Sequence, residues 1–235
     1  MSPAAADAPQ NAPALAKTAT RSPLGQLLHA LNQPLTGLQC SMEVALASPR
    51  TAGQYAQGLR EGLELTGRMR ALVEAMREVA DIAEEKTVNQ ETAELASLLR
   101  EAVEDLGPVA EVKKVRIALD FSSSCSCASS FAVRAARAPM ASAIFRLVDS
   151  AVSMAAPGTA VRIEAGSESN AVWLRLRWQA GMPRSALSRP ELGLLIAQAR
   201  MERSGAEWGR AETQAEGMET ETLTVRLPCA APGVL

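Results

Sequence analysis

From residue 24 the chain sets an apolar side chain at alternating steps of four and three: Leu24, Leu28, Leu31, Leu35, Leu38 and Met42. That spacing is a heptad seam and dictates a helix. Ser22-Pro23 supplies its start, with Ser as N-cap and Pro in the first turn. The helix is expected to run to about residue 47, roughly 39 Å, with Pro34 bending it. Ser48-Pro49-Arg50-Thr51 reads as a turn with Thr51 capping a second helix over residues 52–85. Its seam is Leu65, Met69, Leu72, Met76, Val79 and Ala83, while Arg60, Glu61, Glu64, Arg68, Glu74, Arg77 and Glu78 fall mainly off it as a solvated face with local ion pairs. Two helices cannot bury two apolar faces on each other alone. Two copies forming a four-helix bundle can, so a homodimer is expected.

The period changes after residue 85. Residues 86–91 read as a short strand, and Thr92 as the cap of a helix carrying Leu95, Leu98, Leu99, Val103 and Leu106. Residues 115–121 alternate as a strand. The Ser- and Cys-rich stretch 122–130 is a loop or edge. A helix with Met140, Ile144, Leu147, Val148 and Val152 follows, then strands at 160–165 and 172–178, a helix over 191–203, and strands near 207–213 and 221–227. Helices over one face of a mixed sheet describe an α/β sandwich. The fold class is therefore α+β, a helical hairpin followed by a sandwich domain.

Composition removes several function classes. Net charge is −2 with no basic block, so nucleic acid is not an expected partner. No apolar run is long enough to span a bilayer, and the Ala/Pro-rich stretch 1–21 lacks a signal peptide's apolar core, so it reads as a flexible tail. Four cysteines, two of them Cys125 and Cys127, fit reduced thiols in the cytoplasm. With one histidine in the chain and no second Cys pair, a zinc site is not expected.

That one histidine is His29, in Leu28-His29-Ala30-Leu31-Asn32-Gln33-Pro34-Leu35-Thr36. It lies one residue off the seam, where an imidazole can emerge at the edge of a bundle and accept a phosphoryl group on nitrogen. Taken alone, a histidine on a leucine-rich helix is more often a half-buried spacer. Its surroundings favour the other reading. The stretch resembles the H-box of two-component histidine kinases, in which the phospho-acceptor is followed five residues later by Pro, as His29 is by Pro34. The order of elements after residue 85 is similar to the ATP-binding domain of the same family. The resemblance spans about residues 22–228 and implies a dimerisation and phosphotransfer hairpin at 22–85, an ATPase-like domain at 86–228, and tails at 1–21 and 229–235. Gln33, one turn beyond His29, matches a position that can orient a water against a receiver's aspartyl phosphate; as a plain solvent-facing residue it is equally well explained.

The departures from the family share a direction. The acidic residue that follows the phospho-acceptor is Ala30. The magnesium-holding Asn of Phe145-Arg146-Leu147-Val148-Asp149-Ser150-Ala151 falls on Ser150, with Asp149 beside it as partial compensation. The adenine-reading Asp falls on Arg177 or Trp178, and no Asp or Glu occurs between Glu168 and Glu191. The glycine boxes shrink to Gly181 and to Gly193 in Leu192-Gly193-Leu194, with Glu191 expected to face and repel phosphate. The lid segment 184–190 is short. The expectation is a histidine phosphotransferase on a kinase scaffold, with His29 as acceptor, receiver domains as partners, no cofactor or metal of its own, and magnesium brought by the receiver. Two alternatives stay open: a kinase that binds Mg-ATP weakly, and a non-catalytic adaptor that blocks a receiver or a kinase. Without a sensor or membrane segment, either the signal arrives by protein contact or the chain is a fragment.

Overall fold

A computed structural model of the chain describes residues 22–85, 91–122, 131–168, 170–181, 187–215 and 218–230. Two long helices open it, α1 (Pro23–Ala47) and α2 (Ala52–Glu84). Both start as their caps dictate. The Ser22 hydroxyl accepts from the Gly25 N–H at 3.3 Å, with Pro at the start of the helix. Thr51 and Gln54 exchange bonds in a capping box. α1 continues through Pro34, which is buried.

Along α2 the expected seam is largely covered, with Leu72 and Val79 buried and Leu65, Met69 and Met76 partly so; along α1 only Leu31 and Leu38 of the expected seam are partly covered. The residues buried along α1 are Leu27, Ala30 and Pro34, and along α2 Leu72, Ala75, Val79 and Ile82. Leu24, Leu28, Leu35 and Met42 are exposed, and so are Leu59 and Leu63; Ala83 is exposed where its neighbour Ile82 is covered. Leu27 and Leu28 are adjacent, so α1 carries two apolar stripes side by side. One stripe turns inward, and the stripe read from the heptad is left largely outward.

After α2 come β1 (Thr92–Glu94), α3 (Leu95–Lys113), β2 (Arg116–Ser122), β3 (Ala132–Arg134), α4 (Arg137–Met154), β4 (Ala160–Glu168), β5 (Ala171–Gln179), α5 (Arg189–Arg203), β6 (Glu207–Ala215) and β7 (Met218–Pro228). The first described strand lies at 92–94; the strand expected over 86–91 falls, but for residue 91, outside the described part. Glu94, not Thr92, caps α3, its carboxylate accepting from the Ser97 N–H. β1 and β3 form an antiparallel pair. The main sheet has five strands in the order β2-β4-β5-β7-β6, parallel only between β2 and β4.

Alternation sorts this sheet into two faces. Val161, Ile163, Leu174, Leu176, Leu223, Val225 and Leu227 point to one side and are fully buried beneath α3, α4 and α5. On the other side Gly166 lies beneath the Trp173 ring, and a Cβ there would come within 2.4 Å of it, so only glycine fits. α5 serves two neighbours. Leu194, Ala197 and Met201 join the sheet core, whereas Leu192, Leu195 and Ile196 pack with Leu27, Ala30, Leu72, Ala75, Val79 and Ile82 of the hairpin. Polar contacts rim that junction: Arg146 pairs with Glu78 at 2.8 Å, Arg200 with Glu85 at 3.2 Å, and the Arg203 guanidinium donates to the Ala83 carbonyl at 2.8 Å.

Candidate functional site

His29 lies on the exposed side of α1, between buried Leu27 and Ala30 and exposed Leu28. The helix fixes its backbone, and the inward packing of Leu27 and Ala30 against α5 sets the rotation that turns its ring to solvent. Gln33, four residues on, is exposed on the same side. An exposed imidazole on a braced helix is open to a reacting partner from outside.

The residues matched to nucleotide chemistry come together elsewhere, where α4, α5 and the end of β5 meet. Ser150 is buried in α4 and faces Gly193 of α5. A Cβ on Gly193 would stand 2.6 Å from the Ser150 hydroxyl oxygen, so the two positions hold α4 and α5 against each other. They border a polar cavity of about 860 Å³ between α2, α4 and α5, with Glu78, Arg146, Asp149 and Arg189 also on its walls.

The strand turns Arg177 and Trp178 to opposite faces. Trp178 points to the helix side and is 1% exposed, while Arg177 points to the opposite face and binds Glu164. The helix-side residue is an indole, and among the described residues its buried Nε1–H has no hydrogen-bond partner. Gly181 is stitched to the end of α4: its N–H donates to the Met154 carbonyl at 3.0 Å, and the Ala156 N–H donates to the Gln179 carbonyl at 2.9 Å. A Cβ there would meet the Ala156 backbone at 3.0 Å. This glycine permits a close approach of the protein to itself.

Glu191 has a local structural role beside the charge read from the sequence. Its carboxylate turns back on its own helix and accepts the Ser188 N–H at 3.0 Å, in a capping box. It borders a second cavity of about 710 Å³ together with Lys113, Ser153, Gly181 and Glu221. Glu221 went unnoticed in the sequence. It faces Trp178 across the β5–β7 ladder, is 1% exposed, and takes a 2.7 Å bond from Arg210. The signal was available: β7 alternates Glu221, Leu223, Val225, Leu227, which puts an acid in line with the buried residues.

Among the described residues, no group of three or more His, Cys, Asp or Glu side chains could hold a metal ion, and no helix is long and apolar enough to cross a membrane. Cys40 and Cys229 are free thiols. Cys125 and Cys127, the stretch 123–130 and residues 184–186 of the expected lid lie outside the described part.

The chain matches no protein-family model and none of the curated proteins. Solved structures do match. The Acinetobacter baumannii histidine kinase AdeS superposes with a TM-score of 0.50 at 15% identity, over 86% of this chain and 98% of that one. The mycobacterial sensor histidine kinase MprB gives 0.50 at 15% identity, over 60% of this chain and 98% of its own. Full-length ShkA in complex with AMPPNP gives 0.50 at 16% identity, over 91% of this chain and 48% of that chain. The chain has a histidine-kinase-like fold, a mixed helix-and-sheet domain attached to a helical hairpin.

Proposed function

We propose that the protein is a histidine phosphotransfer component of a two-component pathway. His29 takes a phosphoryl group from a receiver's phospho-aspartate and passes it to another receiver, on a homodimeric kinase scaffold that has lost its nucleotide site. The observation that carries this is an exposed acceptor in a molecule whose adenine-reading position lacks a carboxylate. His29 is exposed, whereas the two residues that can stand at that position are Arg177, bound to Glu164, and buried Trp178.

The remaining nucleotide-site residues fit a magnesium nucleotide poorly. Ser150 is a short ligand packed against Gly193, and Arg146 is committed to Glu78. Ala30 can neither take nor orient a proton. Transfer from an acyl phosphate asks less of the site. The lone pair of an unprotonated ring nitrogen forms the N–P bond as the acyl P–O bond breaks, and the electron pair leaves with the aspartate carboxylate. The proton on the other ring nitrogen remains there or passes to water. The magnesium that shields the phosphoryl oxygens comes with the receiver. Gln33, a turn away, can orient a water for the competing hydrolysis.

One observation favours the reading as a weak kinase. Glu221 brings a carboxylate beside Trp178 from the neighbouring strand, though Arg210 already engages it.

The test is to incubate the full chain with Mg-ATP alone, and separately with a phosphorylated receiver and magnesium. Acid-labile phosphate is expected only in the second case, and His29→Asn should abolish it without unfolding the protein. Labelling by ATP alone would restore the kinase. Undiminished labelling of the variant would move the acceptor elsewhere.

A further inference from the structure

The face of the sheet that carries no helix is used by nothing above, and its charge is unevenly placed. Arg116, Arg162, Arg175 and Arg177 all point to it from β2, β4 and β5, against Asp120, Glu164 and Glu168 on the same strands, and Glu168 is engaged by Arg226 of β7. The chain as a whole has a net charge of −2, so this end of the face is an inversion of the molecule's balance.

Arg162 stands directly opposite Arg177 in the β4–β5 ladder. Like charges so placed oppose pairing of the strands. Glu164 relieves part of the conflict by binding both Arg175 and Arg177. Arg116 and Arg162 remain exposed and form no ion pair among the described residues. Beside Arg177 the row continues through Thr222 and Ala211. These side chains are small, so the arginines border a flat lane along β6 and β7.

We propose that this end of the open sheet face docks an acidic segment of a partner protein, with Arg116 and Arg162 receiving its carboxylates. A planar guanidinium pairs with carboxylate through two parallel N–H donors. Arg116 lies on the strand next to Arg162 and two residues further along it, so a segment crossing the sheet obliquely meets both with separate acidic side chains. Nucleic acid fits less well, because it relies on aromatic rings presented for base stacking. Trp173, the aromatic residue of β5 on this face, is 5% exposed with the Arg175 guanidinium 5.8 Å from its ring centre.

The test uses the full chain and a fluorescein-labelled octa-glutamate peptide, with octa-lysine and an oligo-dT of matched charge as comparisons. Octa-glutamate should bind at low ionic strength and weaken at least about fivefold between about 0.05 and 0.3 M salt, as the Debye length shortens. Arg116→Glu with Arg162→Glu should reduce binding at least about fivefold while the far-ultraviolet spectrum is unchanged. If that pair disturbs folding, Arg162→Thr alone serves. It should weaken the peptide and slightly raise the melting temperature, because it removes a like-charge opposition. Octa-glutamate binding unchanged by these substitutions, or no binding at low salt, overturns the proposal. So does oligo-dT binding more tightly than the peptide.

Discussion

The hairpin and the sheet domain treat the same kind of residue in opposite ways. In the sheet domain, Ile144, Leu147, Val148, Leu174 and Leu223 are fully buried inside one contiguous core. In the hairpin, Leu28, Leu35, Leu59 and Leu63 are about half exposed or more. A domain with a closed core has its stability within one chain. A hairpin with a bare apolar stripe has part of its stability still to be gained, and burying each such side chain is worth roughly 1.5–3 kcal/mol. The contrast also separates two tasks. The closed part holds shape, and the part with the unsatisfied surface carries His29, the acceptor we propose.

The sharpest way to break this comparison is to charge the bare stripe. Leu28→Glu with Leu63→Glu should convert a dimer to monomers with the sheet domain still folded, as read by light scattering and near-ultraviolet dichroism. A wild-type chain that is a stable monomer at micromolar concentration would remove the basis for the contrast. The next effect in size lies within the two buried clusters. Leu147→Ala should destabilise the sheet domain by about 2–5 kcal/mol in chemical denaturation. Leu195→Ala, at the α5–hairpin junction, should cost less and separate the unfolding of the two regions into distinct transitions.

The smallest effect is electrostatic and confined to the sheet domain. The Glu101 carboxyl is held below its ordinary value of 4.5 by the Ser97 hydroxyl and then by Arg137, which bonds it at 2.6 Å. A lowered folded-state value means that the stabilisation is complete above the ordinary carboxylate range and is lost as the pH falls through the lowered value. Glu101→Gln should therefore lower stability slightly at neutral pH and flatten the acid limb, so that variant and parent converge below the lowered value. An acid limb identical in the variant and the parent would count against this.

Much of the fold was legible because it rests on local chemistry. Ser22-Pro23 and Thr51 begin helices where a free hydroxyl can accept an N–H, and strands β4, β5 and β7 declare themselves by alternation. What was not legible depends on distant neighbours. Leu27 and Leu28 are equally apolar, and only the placement of α5 decides which turns inward. β1 and β3, three residues each, are too short for a period to show. At the candidate site, the position of His29 followed from its own helix. The partners of Ser150 and Trp178 did not, because Gly193 and Glu221 arrive from elements far along the chain. The capping role of Glu191 was legible from its place three residues after Ser188.

α5 also has a consequence for how the two regions share one element. One flank, Leu194, Ala197 and Met201, belongs to the sheet core, and the other, Leu192, Leu195 and Ile196, to the hairpin cluster. Fifteen residues thus serve as a common wall, with Gly193 the point at which that wall comes nearest to Ser150. A bulkier residue at Gly193 would push the wall off α4 and so disturb both clusters from a single position.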